Sequence, residues 1–323
     1  MFKEELTYDL NKYLYWFILN ENEISSMPFN IDDECIHECN FFNGYSQINF
    51  YNEYTFITLN VLELNGDNLL FKDINIIFGK NYLVTIYRGS WDILKNLIND
   101  LRENKNCFVV KNNPKISTLL YIILDRIIIN NFSIINTLSS KGDIIEISIL
   151  KDDSRKNFEK LIKLRGQVYR IKKYLNPIRY IGDALILNEN EILNKDDIIL
   201  FERINNKFQK LILSIENLNQ QLSLVREAYE SEISNKTNQL MKLCTLGASI
   251  FLPLDLITSF FGMSFDSMPL KNCCYSVYII IVIMCLIVFL LIILFKKKDW
   301  LWYNLNMIYK FIRVIGGKKL YGK

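Results

Sequence analysis

Asp255 is the residue whose position asks for chemistry. It sits in residues 240–295, which read as one mostly apolar stretch, a short turn, and a second stretch more apolar still. A carboxylate near the centre of a bilayer costs about 2.5–3.5 kcal/mol on insertion scales. No Lys or Arg lies between 243 and 262 or between 275 and 295 to pair with it. One face of the first stretch carries Asn238, Met241, Thr245, Ala248, Leu252, Asp255 and Ser259, spaced three or four apart. The other carries Leu243, Gly247, Ile250, Leu254, Ile257 and Phe261. On a helix these are two opposed stripes, one polar or small and one greasy. Bundle packing through small residues explains the small members. It does not explain an intramembrane carboxylate, which is expected to face a water-filled path or a partner. The reading is an ion pathway lined by the first span; the alternative is a protonated carboxyl packed within the bundle.

Other clusters carry less. Cys35-x-His37-x-Cys39 has three metal-ligand types, but its flanks read as a helix, where residue 37 points away from 35 and 39. A zinc site is not expected there. The seven cysteines are unpatterned, which argues against a disulfide framework and for a reducing compartment around the soluble part. Cys273 and Cys274 fall in the turn and are expected as free thiols. There is one His, no nucleophile elbow and no phosphate loop, so an enzyme is not expected. Net charge is +3 without a basic stripe interleaved with aromatics, which argues against nucleic acid.

The elements that must position Asp255 follow from periodicity. Tyr275–Phe295 holds no charge and as a helix spans roughly 31 Å, the thickness of the hydrocarbon core. Lys296, Lys297 and Lys298 mark its cytosolic end. Upstream, apolar residues at 201, 204, 208, 211, 215, 218, 222, 225 and 229 keep a 3-4 spacing, the seam of a packed helix. Glu232 breaks the seam, and Ile233 and Leu240 resume it one residue later. No Pro or Gly interrupts 198–246, so one helix is expected from about 198 to 262. At 1.5 Å per residue it is roughly 95 Å long, and most of it must project from the membrane as a stalk.

Residues 1–112 read as a cytosolic α/β domain. Its strands include 54–64, 74–78 and 82–87, its hairpin turns at Asn65-Gly66-Asp67, and a helix covers 90–103. Asn112-Asn113-Pro114 is read as a boundary, and 113–197 as a helical layer with segments at 116–138, 154–175 and 177–187. The middle segment is strongly basic, and Arg165–Lys173 is read as a solvated face. Residues 263–274 form an external loop, 275–295 the second span, and 296–323 a basic tail whose Trp and Tyr residues suit the membrane surface. Met1–Asn20 lacks the apolar core of a signal peptide, so both termini are expected in the cytosol. Two spans cannot enclose a pore alone, so a homo-oligomer in a lipid bilayer is expected.

Gly262-Met263-Ser264, Met268-Pro269, Phe251-Leu252-Pro253 and Lys296-Lys297-Lys298-Asp299-Trp300-Leu301 together resemble the terminal motifs of CorA-type divalent metal transporters. Residues 78–85 and 119–125 resemble that family's strand pair and first bundle helix, so the resemblance spans roughly 40–302. It implies an α+β cytosolic domain, a long helical stalk and two transmembrane helices, assembled as a funnel-shaped homopentamer in the cell membrane. It implies transport of Mg2+ or a related divalent ion such as Co2+, Ni2+ or Zn2+, with no resident cofactor. It also implies a pathway past Asn238, Met241, Cys244, Leu252, Asp255 and Ser259 to an outer mouth at Gly262, Met263 and Ser264. Asp152 and Asp153, with Glu227, Glu230 and Glu232, are weak candidates for cytosolic regulatory sites. Ser264 stands where the family has Asn, Leu270 where an acidic residue is common, and Asp255 where Thr is usual. A ring of five carboxylates about 8 Å apart would repel by about 2 kcal/mol per neighbouring pair at an effective dielectric near 20. Such a ring must hold a cation, retain protons, or both. The alternatives are a proton-coupled Zn2+ or Ni2+ carrier and a non-conducting membrane-anchored regulator.

Overall fold

The computed structural model describes residues 7–11, 14–26, 31–40, 45–88, 92–103, 105–151, 155–263 and 275–297. Six strands form one sheet: β1 (Thr7–Asn11), β2 (Leu14–Asn20), β3 (Gln47–Phe50), β4 (Thr55–Asn65), β5 (Asn68–Phe78) and β6 (Tyr82–Tyr87), in the order β1-β2-β6-β5-β4-β3. Only β2 and β6 run parallel. The expected hairpin is present. Asn65 pairs with Asn68, and Gly66 takes φ +61° at the first central position, which suits a type II′ turn. Strands β1 and β2 add to the expected set: β1 holds Asp9 among few apolar residues, whereas β2 is an uncharged run that follows the last charge, Lys12.

Both faces of the sheet are covered. Phe56, Ile77, Val84 and Ile86 cluster with Cys35 and Cys39 of α1 (Asp33–Asn40). Their neighbours along the strands, Ile57, Ile76 and Leu83, are buried as well. The amphipathic α2 (Asp92–Arg102) buries Leu94, Leu97, Ile98 and Leu101, and packs on α4 (Ile116–Lys151). The short α3 (Phe108–Asn112) precedes α4.

The division expected at 112/113 is not a division between compact units. The first unit runs Met1–Arg226 and the second Glu227–Lys323. The reason is α4, which packs against β4 and β6. Strand β3 pairs with β4 only as far as Thr58. Beyond that point Asn131 takes the place of a strand: its Oδ1 accepts from the Leu62 amide at 2.9 Å, and its Nδ2 donates to the Asn60 carbonyl at 3.0 Å. Asn130 donates to the Leu62 carbonyl at 2.9 Å. Helix amides thus satisfy an edge that would otherwise present orphaned backbone groups.

Helix α5 (Arg155–Leu175) is not a fully solvated face. Arg170 lies over the Phe71 ring, Lys173 lies near the Tyr45 ring, and Tyr174 contacts both rings. Helix α6 (Ile178–Leu187) ends at Asn188 in the left-handed conformation, whose amide returns to the Ala184 carbonyl.

Helix α7 runs unbroken over Ile198–Gly262. Every residue of the expected seam, from Phe201 to Tyr229, is buried. Polar pairs fix α7 to the rest of the first unit. Asp197, buried just before α7, accepts from Ser117 Oγ at 2.8 Å and Lys115 Nζ at 3.2 Å. Lys207 pairs with Asp125, Gln221 Nε2 donates to Asp143 at 2.7 Å, and Asn205 Nδ2 donates to Asp183 at 2.8 Å. After Tyr229 no residue of α7 is buried, and Ile233 and Leu240, which resume the seam, are exposed. Helix α8 covers Ser276–Lys297.

Candidate ion pathway

Among the described residues three helices are long and apolar enough to cross a membrane: α4, α7 and α8. More than half of the apolar window of α4 is buried inside the first unit, whereas those of α7 and α8 have no buried residue. The packing of α4 on the sheet accounts for its hydropathy. The outward apolar surfaces of α7 and α8 require another apolar medium.

The two stripes on the apolar C-terminal part of α7 differ sharply in exposure. Leu243, Gly247, Ile250, Leu254, Ile257 and Phe261 are all half-buried. Asn238, Met241, Cys244, Thr245, Ala248, Leu252, Asp255, Ser259, Gly262 and Met263 are all exposed. Leu254 stands across a small space from Ile281, Met284, Cys285, Val288, Phe289 and Ile292 of α8. On α8 the half-buried positions are Ile280, Met284, Ile287, Val288, Leu291 and Phe295, one helical face. The greasy stripe of α7 therefore turns toward α8. At about 100° per residue, the candidate pathway residues from Asn238 to Gly262 lie within roughly 120° of arc on the opposite side.

Local hydrogen bonding separates the polar residues of this span. Thr245 Oγ1 donates to the Met241 carbonyl at 2.9 Å, and Ser249 Oγ to the Leu246 carbonyl at 3.0 Å. Thr258 Oγ1 lies 3.1 Å from the Leu254 carbonyl and 3.0 Å from that of Asp255. These hydroxyls are occupied by their own helix, as is common for Ser and Thr in apolar helices. The Asp255 carboxylate has no hydrogen bond or ion pair to any described residue. Pro253 lies inside the helix two residues before it. Lacking an N–H, it leaves the Ser249 carbonyl without its usual helical donor.

Several other expected residues fall elsewhere. Ser264, Asp266, Met268, Pro269, Leu270, Cys273, Cys274, Lys298 and the 300–323 tail lie outside the described residues, as do Asp152 and Asp153. Glu227, Glu230 and Glu232 are exposed on α7, and Glu232 lies 3.8 Å from Lys236. No group of three or more His, Cys, Asp or Glu that could hold a metal ion occurs among the described residues. Cys35 and Cys39 point into the core from α1 while His37 is exposed, the divergence expected of a helix. The hydrogen bond with Cys35, followed by burial, raises the Cys39 thiol far above its ordinary range, as suits a thiol packed in the core.

A family described as "CorA-like Mg2+ transporter protein" matches residues 11–297. The cobalt/magnesium transport protein CorA of Thermotoga maritima is 23% identical over 257 residues, covering 79% of this chain and 72% of its own. The complete CorA magnesium transporter structure from Methanocaldococcus jannaschii superposes with a TM-score of 0.77 at 21% identity, over 93% of this chain and 95% of that one. The full-length CmaX structure superposes with a TM-score of 0.68 at 15% identity, over 89% and 91%. The structural likenesses establish a shared fold: an α+β unit, a long helix, and a C-terminal apolar helix. The family match spans both units, including the helix that carries Asp255. The chain belongs to the family of CorA-like Mg2+ transporter proteins, a family of transporters and not of enzymes.

Proposed function

We propose that this chain forms a cation pathway for Mg2+ or a related divalent ion (Co2+, Ni2+ or Zn2+), built from several copies arranged around α7. Five copies are expected from the family, in a cell membrane that both spans cross, with the termini in the cytosol. The observation that carries this reading is the carboxylate of Asp255, without a partner among the described residues, on the stripe of α7 turned away from α8. With α8 on the lipid side, that stripe is left for the axis of the assembly. Asn238, Met241, Cys244, Leu252, Asp255 and Ser259 then line the path, and Gly262, Met263 and Ser264 form its outer mouth. Asn238 and Ser259 offer neutral polar groups to a hydrated ion. Met241 and Cys244 narrow the path with sulfur-bearing side chains, and Leu252 narrows it with an apolar one that offers no ligand atom. Asp255 supplies its fixed negative charge. A carboxylate ring suits cation selection by charge, and hard divalent ions prefer such oxygen ligands.

The test is uptake by the purified chain in liposomes, with Mg2+, Co2+, Ni2+ and Zn2+ each measured at two pH values. Saturable uptake of at least one ion is expected. Asp255→Ala should lower that uptake at least about tenfold or change the order of preference among the four. No uptake of any ion would leave a membrane-anchored regulator, and uptake driven by a proton gradient would mark a coupled carrier. Unchanged, pH-independent uptake in Asp255→Ala would remove the carboxylate from the pathway.

A further inference from the structure

Between α4 and α5 lies an open cleft of about 260 Å3, just below the usual range for small-ligand sites. Three lysines stand on its lining: Lys141 of α4, and Lys160 and Lys163 of α5. Its apolar surface comes from Ile144, Ile145 and Leu164. Both ends are closed by polar links. At one end Lys141 Nζ contacts Asp67 Oδ1 at 2.7 Å, and Gln167 Nε2 donates to the Asp67 carbonyl at 2.7 Å, which pins the β4–β5 turn to both helices. At the other end Asn157 Nδ2 donates to the Ser148 carbonyl at 3.3 Å.

Among the described lining residues three lysines meet one carboxylate. From 155 to 175 the chain has eight Lys or Arg and a single carboxylate, Glu159. Lys160 and Lys163 are exposed, and neither forms an ion pair with a described residue. Among the described lining residues the one carboxylate is Asp67, on the exposed hairpin turn. Its carboxyl is held below the ordinary range by the hydrogen bond from Lys141, then by the charges of Lys141, Lys163 and Lys160. The rim therefore already stabilises a negative charge. Ile144 is 64% exposed beside these lysines. An inorganic anion would leave that apolar wall wet. An uncharged apolar ligand would leave the lysines without a counter-charge. A ring carrying phosphates satisfies both.

We propose that this cleft binds a nucleoside phosphate, its base against Ile144, Ile145 and Leu164 and its phosphates on Lys141, Lys160 and Lys163. The phosphates compete with Asp67 for Lys141, so binding loosens the hold of α4 on the β4–β5 turn. The concentration of positive charge on α5 draws the anion in and makes binding strongly salt-dependent.

The test is equilibrium binding of ATP to the full chain in detergent with EDTA present, so that metal complexes do not contribute. Saturable binding is expected, weakened at least about tenfold by the double change Lys160→Glu and Lys163→Glu. Asp67→Asn removes the competing carboxylate and should tighten binding several-fold. Inorganic tripolyphosphate and adenosine should each bind at least about tenfold more weakly than ATP. The proposal is overturned if ATP shows no saturable binding up to millimolar concentration, or if tripolyphosphate binds as tightly as ATP. It is equally overturned if the lysine variant, with unchanged elution and thermal unfolding, keeps the original affinity. Should the lysine variant not fold, Asp67→Asn decides: affinity no tighter than that of the original chain overturns the proposal.

Discussion

Replacing Asn131 by Ala tests whether a helix amide truly stands in for a missing strand. Asn131 is fully buried, and its side chain satisfies two backbone groups of β4, the Leu62 amide and the Asn60 carbonyl. Removing it leaves both unpaired in a site that water does not reach. Each such group costs about 1–3 kcal/mol, so the two together cost about 2–6 kcal/mol, to which a small cavity term adds. Asn131→Asp separates the two bonds. Its carboxylate can still accept from the Leu62 amide, but it faces the Asn60 carbonyl without a proton to donate. Asn130→Ala should cost less, about 1 kcal/mol, because Asn130 is only half-buried and water can replace its donor. The two asparagines share Leu62, so their effects should not add. The assay is amide hydrogen exchange on the full chain in detergent, read at the peptide containing Leu62. A local loss of 2 kcal/mol accelerates exchange by about 30-fold if the edge opens as a unit. An Asn131→Ala protein whose Leu62 amide exchanges within about threefold of the original rate would refute the reasoning, because the edge would then be satisfied without the helix.

Two further predictions concern packing and pH. A Cβ placed on Gly182 would lie 3.2 Å from the Asn205 Cα, so Gly182→Ala must push α6 from α7; a loss of about 1–3 kcal/mol is expected in thermal unfolding. Gly166 of α5 has open space around its Cβ position, so Gly166→Ala should instead stabilise by up to about 1 kcal/mol, and equal effects at the two sites would contradict the close approach. Burial raises the carboxyl of Asp73 above its ordinary range, although Arg88 Nη1 at 3.7 Å pulls the other way. A raised carboxyl takes up protons on folding, so its contribution is full below the unfolded value of 3.8 and is lost as pH rises through the folded one. Asp73→Asn should therefore flatten the fall in stability above pH 4, and parallel stability–pH curves for the two proteins would disprove it.

Much of this architecture is legible without coordinates because it depends on period and length. The seam of α7 repeats at 3-4 spacing for nine positions, and all nine are buried. The Asn65-Gly66 pair locates the hairpin because the first central position needs a positive φ. The uncharged length of α8 sets its ability to span a bilayer. The two stripes of α7 are readable for the same reason, since helical geometry alone assigns residues to faces.

What depended on the tertiary structure is how surfaces from distant parts of the chain meet. Asn131 looks like any polar residue in an apolar helix until β3 stops short and exposes the edge of β4. The boundary read at 112/113 disappears because α4 completes the sheet, a contact between residues about 70 apart. Lys141, Lys160 and Lys163 are scattered in sequence and become one cleft only when α4 and α5 lie side by side. The residues that line α7 were set by spacing along one helix. Their exposure was set by α8, which covers one stripe and leaves Asp255 on the other. Periodicity is a local property and survives in the sequence. Partners are a property of the folded chain, and they decide which stripe is covered and which is left exposed.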